Sequence, residues 1–422
     1  MTSPLCGCEC ASQDGGLADA QVGRWATEQV AGQNTEQTAG QVDGAVARSA
    51  VQNAPQGAAR APDSAAQVQH PTGAWSPLTT AMPVVAIVGP TASGKTALSL
   101  DLADELGGPE RVEIISADAM QLYRGMDIGT AKATLAERRG IVHHQIDVLD
   151  VTQEASVAIY QRKARADIER ISASGKIPLL VGGSGLYVSA VLDELNFPGT
   201  DAAVRAELED IAARFGFAPL IAELREKDPV TAATIDLANP RRVIRALEVV
   251  RITGGSYTPV FPRHTSHYRN VVELGVRSSR EFLNPRIEAR ARAMFEGGLI
   301  EETQALLDQG LRTGVTARKA TGYTQAIQLI DGEISLEEAI SSTVYATKRL
   351  AKKQRTWFRA DQRIVWLKPH ERSAHVAAQM VRAAQNEAAW PVAHQLSVAY
   401  KEAQENDAQK HGAQENFHEE EK

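Results

Sequence analysis

The patterned part of the chain opens on five consecutive apolar residues, VVAIV at 84–88. Their number and β-branched character predict a short buried strand. VEIIS at 112–116 predicts a second strand, residues 145–149 a third, and IPLLV at 177–181 a fourth. VVELGV at 271–276 predicts a return to the same sheet. Between these runs the apolar positions recur at helical spacing. Leu98, Leu102, Ala103 and Leu106 form one such stripe, and another period runs through 155–174. Strands alternating with helices predict an α/β fold with a mainly parallel sheet. Residues 195–268 carry only helical patterns, broken by Pro and Gly, and read as a helical insertion. Amphipathic helices are expected over 281–297, 299–310 and 335–358.

The flanks have no such pattern. Residues 1–81 are rich in Ala, Gln, Gly and Ser and poor in branched or aromatic residues, so a disordered leader is expected, with the functional protein beginning near Met82. Residues 397–422 read as a disordered acidic tail containing AQEN twice. The domain reading is a catalytic core begun at 82–194, interrupted by the insertion at 195–268, and completed with C-terminal helices over 269–396. Of the 422 residues, 43% are hydrophobic and 23% charged, as in ordinary soluble proteins. The net charge of −7 argues against a generally basic nucleic-acid coat but permits a local basic surface. No apolar run approaches the roughly 20 residues of a membrane span, and no basic segment leads into an apolar one at the N-terminus. A cytoplasmic monomer is the expectation. The only cysteines, Cys6, Cys8 and Cys10, lie in the leader with no fourth ligand nearby, which favours thiols on an unstructured tail over a zinc site.

The chemistry begins where the first strand ends. Gly89, Pro90, Thr91, Ala92, Ser93, Gly94, Lys95 and Thr96 fit G-x-x-x-x-G-K-[ST], between a predicted strand and a predicted helix. Backbone N–H groups of such a loop cradle phosphate, the Lys95 ammonium reaches its oxygens, and the Thr96 hydroxyl suits Mg²⁺. Taken alone the loop is a nucleotide site, ATP-binding being its usual use. The second strand runs into Asp118 at the sheet edge where open parallel sheets bind ligands. There a carboxylate serves as a general base or a water-mediated Mg²⁺ ligand, or simply caps a turn. The fourth strand ends in Gly182-Gly183-Ser184-Gly185, without the Asp that a nucleotide-hydrolysing enzyme carries there. His143 and His144 are neighbours whose side chains point to opposite faces of a strand, so a shared metal is disfavoured.

Basic residues cluster despite the acidic total. Arg241, Arg242 and Arg245 lie in the insertion. Lys348, Lys352, Arg355 and Arg359 step by three or four along one helix and make a stripe that suits a phosphate backbone or a solvated face equally. Arg286 and Arg290 form a further i, i+4 pair.

The motifs GPTASGKT, SADAMQLYRGMDIGTAK, HHQID, IPLLVGGSGLY, NPRRVIRALEV, ATGYTQA and ATKRLAKKQRTWFR, in this order, resemble the bacterial tRNA dimethylallyltransferases. The resemblance runs from about residue 84 to 367. It implies a P-loop NTPase-like core with a helical insertion that embraces the anticodon stem-loop of tRNA. It also implies transfer of a dimethylallyl group from dimethylallyl diphosphate to N6 of the adenosine beside the anticodon, with Mg²⁺. By motif matching it implies Asp118 as the base and Arg290 and Lys95 at the diphosphate. It implies RNA contacts at Asp118, Ala119, Met120, Gln121, Ser184, Arg205, Arg241, Arg242, Arg245, Lys319, Gly322 and Tyr323; the basic stripe adds Lys352 and Arg355. Ala119 and Met120 replace a frequent Ser-Arg, Ser184 a frequent Thr, and Thr324 a frequent basic residue, departures that bear on RNA preference rather than on the reaction. Two rivals are weighed: a small-molecule P-loop kinase, which needs no basic helix at 348–359, and a non-catalytic RNA-binding protein, which would transfer nothing.

Overall fold

The computed structural model describes residues 77–257, 264–368 and 373–385. The cysteines and the 397–422 tail lie outside the described residues. So does the leader through residue 76. Its last five residues, 77–81, are a correction to the predicted boundary, because they already belong to the fold. Leu78 pairs with Tyr268, and Thr80 hydrogen-bonds Met82 and Asn270.

In chain order the elements are β1 (Val84–Val88), α1 (Lys95–Glu105), β2 (Val112–Ser116), β3 (His143–His144), α2 (Val157–Ala173), β4 (Ile177–Gly182) and α3 (Gly185–Leu192). The insertion holds α4 (Ala202–Phe215), α5 (Ala218–Lys227), α6 (Pro229–Thr234) and α7 (Pro240–Thr253). The chain then returns through β5 (Val271–Val276), α8 (Arg280–Glu296), α9 (Leu299–Asp308), α10 (Tyr323–Ile330), α11 (Leu336–Arg359), β6 (Val365–Leu367) and α12 (Ser373–Ala384). The strands form one parallel sheet in the order β3-β2-β4-β1-β5-β6.

β1 is central and wholly buried. Val84, Ala86 and Val88 enter the core on one face, Val85 and Ile87 the core on the other. Helices therefore cover both faces, which is why β1 and β4 read as unbroken apolar runs. The third strand departs from its prediction. It is only His143–His144, because Gln145 and Asp147 have φ of 57° and 56°, a left-handed conformation that ends a strand. Leu149 makes a lone bridge to Tyr123 instead. The short apolar α3 had no amphipathic period to find; it is buried along its length. The two histidines have separate partners. His143 Nδ1 lies 2.9 Å from the Ile141 carbonyl, and His144 Nε2 lies 2.8 Å from the Glu113 carboxylate.

The insertion has its own core around Leu208, Leu224, Val243 and Leu247. It leaves and rejoins the sheet domain through a paired neck. Asp193 bridges Ser266 in antiparallel fashion, and the Glu194 N–H donates to Thr265 O at 2.8 Å. No described helix is long and apolar enough to cross a membrane.

Candidate active site

β1 delivers the phosphate loop to the C-terminal edge of the sheet, and α1 begins within it. Gly89 and Gly94 have φ of 147° and 96°, which side chains rarely adopt. Ala92 is also left-handed, at 63°, a conformation that costs an ordinary residue about 1–2 kcal/mol. It is held from outside: Arg286 Nε on α8 donates to the Ala92 carbonyl at 3.0 Å. The Lys95 ammonium folds back and donates to the Pro90 carbonyl at 2.7 Å. The loop thus stands formed, with its N-terminal helix end turned to the cleft.

That cleft has a volume of about 750 Å³ and is lined by Lys95, Thr96, Asp118, Gln121, Arg286 and Arg290, among others. Lys95, Asp118 and Arg290, distant in sequence, therefore meet in one place. Burial lowers the Lys95 ammonium to about 8; Asp118 opposes the shift and Arg290 adds to it. Burial raises the Asp118 carboxyl above the usual aspartate range, against the Met120 N–H, which donates to its Oδ1 at 3.0 Å, and against the Lys95 cation. Burial also lowers Arg290, with Arg286 adding like-charge repulsion. The result is a carboxylate biased toward accepting a proton beside a concentrated set of cations.

Among the described residues no group of three His, Cys, Asp or Glu side chains could hold a metal on its own. Thr96 offers a hydroxyl at the cleft, and the buried Ser93 Oγ in the same loop has no partner. The Thr96 hydroxyl beside the unpartnered Ser93 hydroxyl is an oxygen donor set of the kind that fits Mg²⁺.

The remaining predicted residues divide into those that could face RNA and those spent on structure. Ser184 Oγ accepts the Ala119 N–H at 3.2 Å, tying the end of β4 to the end of β2. Gln121 accepts from Ser116 Oγ at 2.9 Å and donates to the Thr130 carbonyl at 3.2 Å, so it is braced within the cleft wall. Arg241 is exposed and lies close enough to the half-buried Lys319 to act on it. Burial, then Arg241 and Arg318, lower the Lys319 ammonium. This basic surface joins the insertion to the core. Arg242 is half-buried, 3.9 Å from Asp236. Arg205 and Arg245 converge instead on Glu248, whose side chain is fully buried, at 2.8 and 2.7 Å; Arg245 also donates to the Pro198 and Gly199 carbonyls. Lys352 is exposed on α11, and Arg355 is half-buried beside Arg359 and Arg280.

Ala119, Tyr323 and Gly322 are corrections to the predicted RNA contacts; Ala119 is buried in the core with its N–H held by Ser184. Tyr323 is fully buried, accepts the Gly129 N–H at 3.2 Å and donates to Glu302, and Gly322 is buried beside it, so neither presents surface to a ligand. The Gly182–Gly185 run also has a packing cause. A Cβ on Gly182 would lie 2.1 Å from the Ala117 carbonyl oxygen, and one on Gly185 would lie 2.4 Å from the Trp357 ring.

Sequence reasoning missed Lys132, Asp147, Glu248 and Gln354 as individual residues, although each lies inside a motif it had singled out. Lys132 Nζ reaches the Tyr123 carbonyl and the Asp127 and Asp147 carboxylates at 2.5–2.7 Å, pinning the loop that walls the cleft.

A family model described as IPP transferase matches residues 121–361. The tRNA dimethylallyltransferase of Salinispora arenicola is 52% identical over 284 residues, 67% of this chain and 82% of that protein. That of Thermobifida fusca is 53% identical over 287 residues, 67% of this chain and 89% of that protein. The crystal structure of a tRNA isopentenylpyrophosphate transferase from Bacillus halodurans is 39% identical, with a TM-score of 0.54 over 74% of this chain and 99% of that one. A eukaryotic dimethylallyltransferase solved acting on tRNA is 25% identical, with a TM-score of 0.59 over 69% of this chain and 75% of that one. With its phosphate loop, its parallel sheet and these likenesses together, the chain belongs to the IPP transferase family of tRNA dimethylallyltransferases.

Proposed function

We propose that this protein transfers a dimethylallyl group from dimethylallyl diphosphate to N6 of the adenosine on the 3′ side of the anticodon in tRNA, giving N6-dimethylallyladenosine and diphosphate. The observation that carries the reading is the convergence of Asp118, Lys95 and Arg290 on one cleft at the phosphate loop.

The N6 amine of adenine is a poor nucleophile, because its lone pair is delocalised into the ring. It attacks the allylic carbon as Asp118 takes its proton, a task suited to a carboxyl whose burial raises its proton affinity. The carbon–oxygen bond to diphosphate breaks and its electron pair leaves with the diphosphate. Lys95, Arg290 and the loop N–H groups oppose the charge that develops there. Thr96 would hold Mg²⁺, which supplies further positive charge to the leaving group when bound. The target base must leave its stack at a cost of a few kcal/mol. Contacts to the anticodon stem-loop from Met120, Ser184, Lys319, Arg241, Lys352 and Arg355 offset that cost. A tRNA substrate and the absence of any membrane-spanning helix among the described residues fit a cytoplasmic enzyme, which we take to act as a monomer.

The kinase reading is not favoured, since β4 ends in glycines rather than a carboxylate and the family is one of prenyl transfer. The decisive experiment incubates the protein with Mg²⁺, dimethylallyl diphosphate and unmodified tRNA, then weighs the digested nucleosides. A prenylated adenosine is expected. Its absence from well-folded protein, with tRNA still bound, would favour the non-catalytic reading.

A further inference from the structure

The peptide unit joining Pro90 to Thr91 is gripped on both edges. Its carbonyl accepts the Lys95 ammonium at 2.7 Å, and its N–H donates to Gln354 Oε1 at 2.7 Å. Gln354 comes from α11, 263 residues later in the chain, and is only 4% exposed. The other end of its amide lies against the glycine run. A Cβ on Gly183 would lie 2.6 Å from Gln354 Nε2 and 3.2 Å from the Gly89 carbonyl oxygen. The amide is thus wedged between the phosphate loop and the loop after β4.

We propose that Gln354 is a positioning residue that fixes the plane of the Pro90–Thr91 peptide and, through its carbonyl, the place of the Lys95 ammonium. A loop N–H that points at a side chain cannot also point at phosphate, so Gln354 decides which loop donors face the cleft. Rotation of this one peptide would withdraw the carbonyl from Lys95 and leave the ammonium without its seat, a greater loss to the anion than the one freed N–H returns. The helix that sets the peptide also carries Lys352 and Arg355 on its outer side. The grip on the loop therefore comes from the same rigid element that bears the proposed RNA contacts. The inference rests on the reading of the cleft as a diphosphate site.

The test uses the full chain and inorganic diphosphate with Mg²⁺, titrated by calorimetry without tRNA, alongside steady-state transfer assays. Gln354→Met keeps size and removes the acceptor; Gln354→Asn keeps a neutral amide that is one methylene shorter. In Gln354→Met, diphosphate affinity should fall about tenfold, because the peptide that seats the Lys95 ammonium loses its hold. The KM for the prenyl donor should rise with it, and kcat should fall severalfold, because Lys95 also opposes the charge that develops on the leaving group. Gln354→Asn should lose about as much, because its amide is one methylene too short to reach the Thr91 N–H. A Met variant with wild-type affinity overturns the proposal, as does an Asn variant with wild-type affinity. If the Met variant misfolds, the Asn variant against wild type still decides. Wild-type protein that binds diphosphate but transfers nothing overturns the proposed reaction and leaves Gln354 to the binding contrast. Wild-type protein that binds no diphosphate overturns both.

Discussion

The Lys132 ammonium and the Asp147 carboxylate meet at 2.5 Å and join two segments of sequence, GTAK and HHQID, into one cleft wall. The lysine side chain is 3% exposed while Asp147 is 41% exposed, so the two partners are not equivalent. Lys132→Met strands the Tyr123 carbonyl and separates both aspartates from their cation, and should cost about 2 kcal/mol. Asp147→Asn leaves Asp127 in place and should cost less than half of that. Thermal denaturation of the two variants checks the asymmetry; equal losses would contradict it.

Asp118→Asn keeps the shape of the cleft and removes the proton acceptor. Transfer should fall by about 10²–10⁴-fold, the usual worth of a general base. Diphosphate affinity should hold or improve, because a negative charge beside Lys95 is lost. Single-turnover transfer and calorimetry separate the two effects. A near-normal rate removes Asp118 as the base.

Lys95 gives the reaction an alkaline limit. Its ammonium is lowered to about 8 by burial, so the cation is present below that pH and lost as pH rises through it. The kcat/KM for the donor, which reports the free enzyme, should decline above about pH 8. Bound diphosphate restores the proton, so kcat should stay level to higher pH. At the acid end, activity should fall where Asp118 takes up its proton, above the usual aspartate range. Lys95→Arg should remove the alkaline limb even where it lowers the rate. A limb that persists belongs to another group.

Neutralising Lys352 and Arg355 should weaken tRNA binding and reduce the dependence of log K on log salt by roughly one per lost phosphate contact. The exposed Lys352 should carry more of this than the half-buried Arg355, whose charge already faces Arg359 and Arg280. Filter binding over a salt series measures both. Unchanged slopes would make the stripe a solvated face.

What the sequence made legible follows from burial. β1 and β4 are continuous apolar runs because helices cover both faces, β2 and β5 are nearly so apart from the buried Glu113 and Glu273, and the phosphate loop is marked by its glycines. The 145–149 segment looked like a strand because periodicity does not register left-handed residues at Gln145 and Asp147. Arg205, Arg245 and Tyr323 were read by type and motif. Arg245 meets Glu248 at i, i+3 on its own helix, a pairing that local spacing carries, whereas the reach of Arg205 to Glu248 and of Tyr323 to Glu302 is fixed by tertiary packing. Asp118, Lys95 and Arg290 were each nameable from a motif, but their mutual effect on proton affinity exists only once β2, the loop and α8 are folded together.

The paired neck at Asp193–Ser266 gives the insertion a particular evolutionary and folding status. A segment whose ends depart side by side adds little strain to its host when it is lengthened, shortened or exchanged, because the distance it must span does not change. With a core of its own it can acquire order without waiting for the sheet, and the sheet can close beneath it. The inserted part of the molecule is therefore free to diverge in sequence and size while the edge that bears the phosphate loop stays fixed. It is also the natural place to cut or graft when one part is to be studied without the other.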